Sequence, residues 1–283
     1  MGSNTGWHPR SRFVELSDGW RAHYVEMGRS GPPLILIHGI LVSSWAWRFN
    51  IDYLARRHRV FALCQKGFGY SDKKRSRYDL QDLTDFVRRF MDRLGIERAH
   101  LVGNSLGGAV SMRLALDDPS RVDKLVLVNA AGLRFRMIDD IAKLQSVLLS
   151  PLYRALGNRW AYRLLLANLA YVNLPIDRAY MEGFLRPLRA KGAYPAFIAT
   201  LRHITKDFEL MEREVERIRH QTLIVWGAKD RLVPLKSGFI LNNQIRRSRL
   251  EIFYNCSHCP HEEDPDRFNH LVDLYLNDEV RGQ

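Results

Sequence analysis

Gly103-Asn104-Ser105-Leu106-Gly107 sets a serine between two glycines, directly after the apolar run Ala-His-Leu-Val and directly before a stretch with helical periodicity. Small residues let a strand turn sharply into a helix there, which strains the serine backbone and exposes its Oγ. The helix N-terminus behind it favours developing negative charge. A serine hydroxyl is a weak nucleophile and needs a base that is itself oriented by a carboxylate. Both follow in order. The run Leu223–Val225 ends in a turn bearing Asp230, and the run Leu250–Phe253 is followed by His258. Ser105, Asp230 and His258 are therefore the candidate nucleophile, acid and base. His261 is a second candidate for the base, set toward the following helix. An alternative acid would stand after Leu125–Val128, but Asn129-Ala130-Ala131-Gly132 holds no carboxylate. An oxyanion formed on attack needs two donors. The Leu106 N–H is one, and the Ile40 N–H, aimed by Gly39 at the end of Leu34–Ile37, is the other. His38 is expected to shape that turn rather than to react.

These residues must be carried by strand ends. Short apolar runs bounded by Gly, Pro or Asp occur at Phe13–Leu16, Arg21–Met27, Leu34–Ile37, Val60–Leu63, His100–Val102, Leu125–Val128, Leu223–Val225 and Leu250–Phe253. The later ones are continuously apolar, as in strands buried on both faces of a parallel sheet. Helical periods lie between them at Asp79–Leu94, Ser105–Leu116, Leu235–Asn243 and Pro265–Leu276, so the class is α/β. From Leu133 to about Val215 no strand pattern is found. The text is rich in Leu, Tyr and Ala, and Pro151, Pro175, Pro187 and Pro195 predict four or five short helices. The expected division is a core of residues 1–132 and 216–283 with a helical cap at 133–215. Trp160, Leu165, Leu169 and Phe184 of the cap are candidate lining for an apolar substrate pocket, the alternative being that they pack the cap helices together.

Composition bounds the reading. Of 283 residues 46% are apolar, enough for a large core, which excludes disorder. Three cysteines cannot frame a small secreted scaffold, no apolar leader is visible, and a soluble, cytoplasmic protein is expected. The longest uncharged apolar stretch, Leu164–Ile176, falls short of the roughly 20 residues a membrane span needs. The net charge is +12, and between Arg134 and Lys206 twelve basic residues face four acidic ones. That regional excess reads first as a solvated face, with approach to an anionic membrane or an anionic substrate as the alternative. No basic helix or recognised module points to nucleic acid. Cys256 and Cys259 bracket His258 but lack a second zinc knuckle, so neither a metal nor an organic cofactor is expected.

The segments HG at 38–39, GFGYSD at 67–72, GNSLGG at 103–108, WGAKDRLVP at 226–234 and HCPHEEDPDRF at 258–268 together resemble the cap-bearing branch of the α/β-hydrolase superfamily. The resemblance implies an eight-stranded, mostly parallel sheet flanked by helices, a lid inserted after the sixth strand, and a Ser-His-Asp triad on the residues named above. Two positions depart from the family pattern: Cys64 stands where Asp is usual, and Ser257 where Gly often precedes the histidine. The expected activity is hydrolysis of a small-molecule carboxylic ester with a hydrophobic acyl or alcohol group, through an acyl-enzyme. Two alternatives remain: hydrolysis of a C–C bond in a ring-cleavage product, and a non-catalytic homologue that only binds its ligand.

Overall fold

The computed structural model describes residues 7–134, 163 and 170–279. Eight strands form one sheet: β1 (Ser11–Glu15), β2 (Arg21–Met27), β3 (Pro33–Ile37), β4 (Arg59–Leu63), β5 (Ala99–Asn104), β6 (Val122–Val128), β7 (Gln221–Gly227) and β8 (Ser248–Phe253). Their spatial order is β1-β2-β4-β3-β5-β6-β7-β8. β1 and β2 pair antiparallel, as do β2 and β4, and every other pair is parallel. All eight apolar runs read from the sequence are strands. The described helices are α1 (Ile51–Leu54), α2 (Leu80–Arg93), α3 (Leu106–Asp117), α4 (Arg178–Leu188), α5 (Ala193–Glu214), α6 (Leu235–Gln244), α7 (Pro260–Glu263) and α8 (Pro265–Leu276).

Side chains alternate between the two faces of a strand, and the two main apolar clusters follow that rule. Ile35 and Ile37 of β3, Leu125 and Leu127 of β6, and Ile224 and Trp226 of β7 join the cluster that receives α2, α3, α5 and α6. Leu34, Leu36, Val126, Val128, Leu223 and Val225 join the other, against α1 and α8. α2 meets its cluster through Leu83, Phe86, Val87, Phe90 and Met91, one apolar stripe of a 3.6-residue period. Its start is fixed by Asp79, whose carboxylate accepts the Asp82 N–H at 2.8 Å.

A third cluster lies across the end of the sheet. Ala170, Tyr171, Ile176 and the α4 residues Tyr180, Met181, Phe184, Leu185 and Leu188 pack with Leu41, Val42, Trp45 and Leu232. The four prolines of this region do not all end helices, contrary to the spacing argument. Pro195 lies in the first turn of α5, a helix of 22 residues in all, because a first-turn residue has no intrahelical partner for the N–H that proline lacks. Pro187 sits within the last turn of α4. The positions of Pro151 and of the remaining expected helices lie outside the described residues. Among the described residues no helix is long and apolar enough to cross a membrane.

Candidate active site

Ser105 caps the N-terminus of α3 with φ 54° and ψ −120°. A non-glycine residue in the left-handed region is strained by about 1–3 kcal/mol and persists only where its surroundings over-determine it. They do so here. The Ser105 N–H donates to the Val128 carbonyl at 3.0 Å, and its own carbonyl accepts Gly108 N–H and Ala131 N–H, each at 2.9 Å. A side chain at Gly107 would collide with the Ile37 carbonyl, so the turn closes onto β3 only with glycine there. Gly39 meets Ser105 from the other side: a Cβ on it would lie 3.1 Å from Ser105 Cβ. The Gly39–Ile40 turn and the start of α3 therefore flank the same serine. Among the described residues neither the Ile40 N–H nor the Leu106 N–H is used in a hydrogen bond.

β7 and β8 bring the other two candidates together. Asp230 Oδ2 lies 2.8 Å from His258 Nδ1, and the Asp230 side chain is fully buried. Its Oδ1 accepts the N–H groups of Leu232 (2.7 Å) and Val233 (3.0 Å). A carboxylate only accepts, so Nδ1 carries the proton of the neutral ring and Nε2 keeps a lone pair free to act as base. Asn104, next to the serine, donates from Nδ2 to the Val128 carbonyl (3.1 Å) and the His258 carbonyl (3.2 Å), which ties the nucleophile strand to the base loop.

After β6, where the chain offers no acid, Asn129 has a different task. Its Nδ2 donates to Asp230 Oδ2 at 2.6 Å and its Oδ1 accepts the Gly227 N–H at 3.0 Å. Its φ is 42°, a conformation that asparagine tolerates better than most residues. The sequence signal was an asparagine at the end of a central strand, where its side chain reaches the next strand end.

His38 and His261 are placed elsewhere. His38 Nε2 accepts the Gln65 N–H at 3.0 Å, so Nδ1 is the donor, to the Gly39 carbonyl at 2.7 Å; the ring fixes the turn that carries Ile40. His261 is fully buried, with its ring centroid 4.4 Å from that of Trp47. Burial holds its pKa well below the usual histidine range. Cys64 lies against His23, with Sγ 3.2 Å from Nδ1, and the two histidines His23 and His38 pull its thiol well below the usual range against the effect of burial.

Cys259, His261 and Glu262 offer potential metal-ligand atoms within 4.8 Å of one another. The carboxylate of Glu262 is already matched by the Arg48 guanidinium at 2.6 Å, a fixed positive charge that opposes a cation in the same place. The three cysteines are free and buried. Of the pocket candidates, Phe184 is 1% exposed within the third cluster, its ring 5.0 Å from that of Tyr180; Trp160, Leu165 and Leu169 lie outside the described residues.

Comparison with known proteins follows the same lines. The α/β hydrolase fold family matches residues 32–265. A 2-hydroxymuconate semialdehyde hydrolase of Pseudomonas sp. (strain CF600) is 30% identical over 276 residues, which span 92% of each chain. The solved structure of a meta-cleavage product hydrolase from Pseudomonas fluorescens IP01 is 29% identical and superposes with a TM-score of 0.81 over 95% of this chain and 98% of its own. That of a membrane phospholipase A is 26% identical, with a TM-score of 0.80 over 96% and 87%.

Proposed function

Because the chain belongs to the α/β hydrolase family, we propose that this hydrolase works through Ser105, His258 and Asp230 and cleaves a C–C bond in a conjugated ring-cleavage product. The 30% identity to a 2-hydroxymuconate semialdehyde hydrolase, over 92% of both chains, carries this choice of bond. Geometry supports the chemistry: a strained serine at a helix N-terminus and a histidine whose Nδ1 is bound by a buried carboxylate.

His258 Nε2 takes the hydroxyl proton as Ser105 Oγ adds to a carbonyl carbon. The Ile40 and Leu106 N–H groups receive the oxyanion. With the substrate in its keto tautomer, a vinylogous diketone, collapse of the oxyanion breaks the C–C bond, and the electron pair left on the sp3 carbon delocalises through the adjoining enone onto its carbonyl oxygen. The leaving fragment takes its proton from His258. Water activated by the same ring then frees the acid from Ser105. The expected cap, 133–215, belongs to the same reading. The three unpaired thiols accord with a cytoplasmic setting.

The likeness to a phospholipase A favours a second reading, carboxylic ester hydrolysis by the same residues. The values of kcat/KM for 2-hydroxymuconate semialdehyde and for a p-nitrophenyl ester series decide between them. Faster turnover of the conjugated aldehyde supports the first reading, whereas turnover of esters alone overturns it in favour of the second.

A further inference from the structure

Glu262 and Glu263 follow the candidate base within six residues and turn to different partners. Glu262, 2% exposed, accepts from Arg48 Nη1 (2.6 Å), the Tyr171 hydroxyl (2.7 Å) and the Tyr180 hydroxyl (3.2 Å). Glu263 serves the main chain. Its Oε1 accepts the Ser257 N–H at 2.7 Å, and its Oε2 accepts the N–H groups of Val172 (2.8 Å) and Asn173 (3.1 Å). His258 itself donates its N–H to the Ala170 carbonyl at 3.1 Å, and Asn173 Nδ2 donates to the Asn255 carbonyl. The backbone at and before the base is thus fastened to residues 170–173 from both sides.

This task suits a carboxylate. Three N–H donors converge on one side chain, and only an ionised acid presents acceptors alone to all of them; an amide would turn its NH2 toward one donor or more. Burial raises the Glu263 carboxyl above its usual range, while the bonds from Val172, Ser257 and Asn173 pull it back. Asp230 aims the ring of His258, but nothing in the Asp230 contacts fixes the main chain from which that ring projects. Glu263 does.

We propose that Glu263 is a positioning residue for His258: it clamps the main chain before the base to residues 172 and 173, so that seating of this segment and placement of the base are one event. The inference rests on the reading of Ser105 and His258 as nucleophile and base. A fluorophosphonate tests both, since labelling of Ser105 needs an activated hydroxyl.

The rate of labelling is measured for the wild type and for Glu263→Gln, with amide hydrogen exchange followed in the same samples. The expected result is labelling slowed about tenfold in the variant, as a small displacement of a reacting group produces. Amides of residues 170–174 and 255–258 exchange faster, those of β5 and β7 are unchanged, and kcat falls while KM holds. If the wild type is labelled and Glu263→Gln is labelled at the same rate, the positioning role is overturned and the serine-hydrolase reading stands. If the wild type is not labelled at all, that reading falls and the inference with it. Should Glu263→Gln fail to fold, Glu263→Asp carries the test, because it keeps the carboxylate but is one methylene too short to reach Ser257 N–H on one side and Val172 and Asn173 N–H on the other: slowed labelling supports the proposal, and wild-type labelling overturns it.

Discussion

The strand ends and the helical segment that lies across them are held by different mixtures of contacts. At the strand ends, Ser105, Asn104 and Asn129 are fixed by short bonds to main-chain groups of neighbouring strands, and Asp230 by bonds from main-chain groups of its own loop. Across them, residues 170–188 rest on an apolar cluster, on the hydroxyls of Tyr171 and Tyr180 against the buried Arg48–Glu262 pair, and on the bonds of residues 170–173 to Glu263 and the His258 loop. A strand-end residue depends on a few short bonds, whereas the contacts of the segment are many and each can be removed alone. The difference separates chemistry, which should respond to few substitutions and steeply, from docking of the segment, which should respond to several and gradually.

The contrast is broken most directly at the proposed nucleophile. Ser105→Ala should lower turnover by about 10⁴-fold or more while far-ultraviolet circular dichroism stays that of the wild type; retained turnover would remove Ser105 from the reaction. Asp230→Asn should cost about 10³-fold in kcat, because an amide NH2 facing Nδ1 favours the tautomer with no lone pair on Nε2. Asn129→Ala removes one of the donors on Asp230 Oδ2 and should cost about tenfold in kcat, with KM little changed. A loss as large as that of Asp230→Asn would make Asn129 more than a support.

The docking side is sharpened by stability. Glu262→Gln leaves the Arg48 guanidinium buried without its counter-charge and should lower stability by about 3–5 kcal/mol in urea titration, the usual cost of halving a buried pair. Acid provides the mildest test. Burial depresses the pKa of His100 to about 4, and those of His58 and His261 are also lowered by burial. The unfolded chain therefore binds more protons below the ordinary histidine value of 6.5, and stability falls as pH drops from there toward 4. His100→Gln should flatten that slope in thermal melts; an unchanged slope would take His100 out of the account.

The sheet was legible because its signals are local: β-branched runs, glycine at the elbow, and a carboxylate and a histidine after successive strands each announce themselves within a few residues. What escaped is long-range. Arg48 and Glu262 lie 214 positions apart and Asn129 and Asp230 lie 101 apart, and no periodicity links such pairs. Asn129 was passed over because the position was searched for an acid, and an amide reads as absence unless its donor is matched to the acid on the neighbouring strand. Pro195 misled for a different reason, since whether proline ends a helix depends on the turn in which it falls. Trp160, Leu165 and Leu169 could be nominated by composition alone, which says that a residue is apolar and not what it faces.

The backbone at Ser105 also acts as a filter on heredity. With φ at 54°, a β-branched side chain meets a steric penalty before any question of reactivity arises. Threonine, which keeps a hydroxyl, is screened out by shape, so Ser105→Thr should behave as a folding lesion at least as much as a chemical one. Mutation can explore the nucleophile of this protein only among small, unbranched side chains, and the repertoire of reactions open to its descendants is bounded by a torsion angle as well as by the atom at its end.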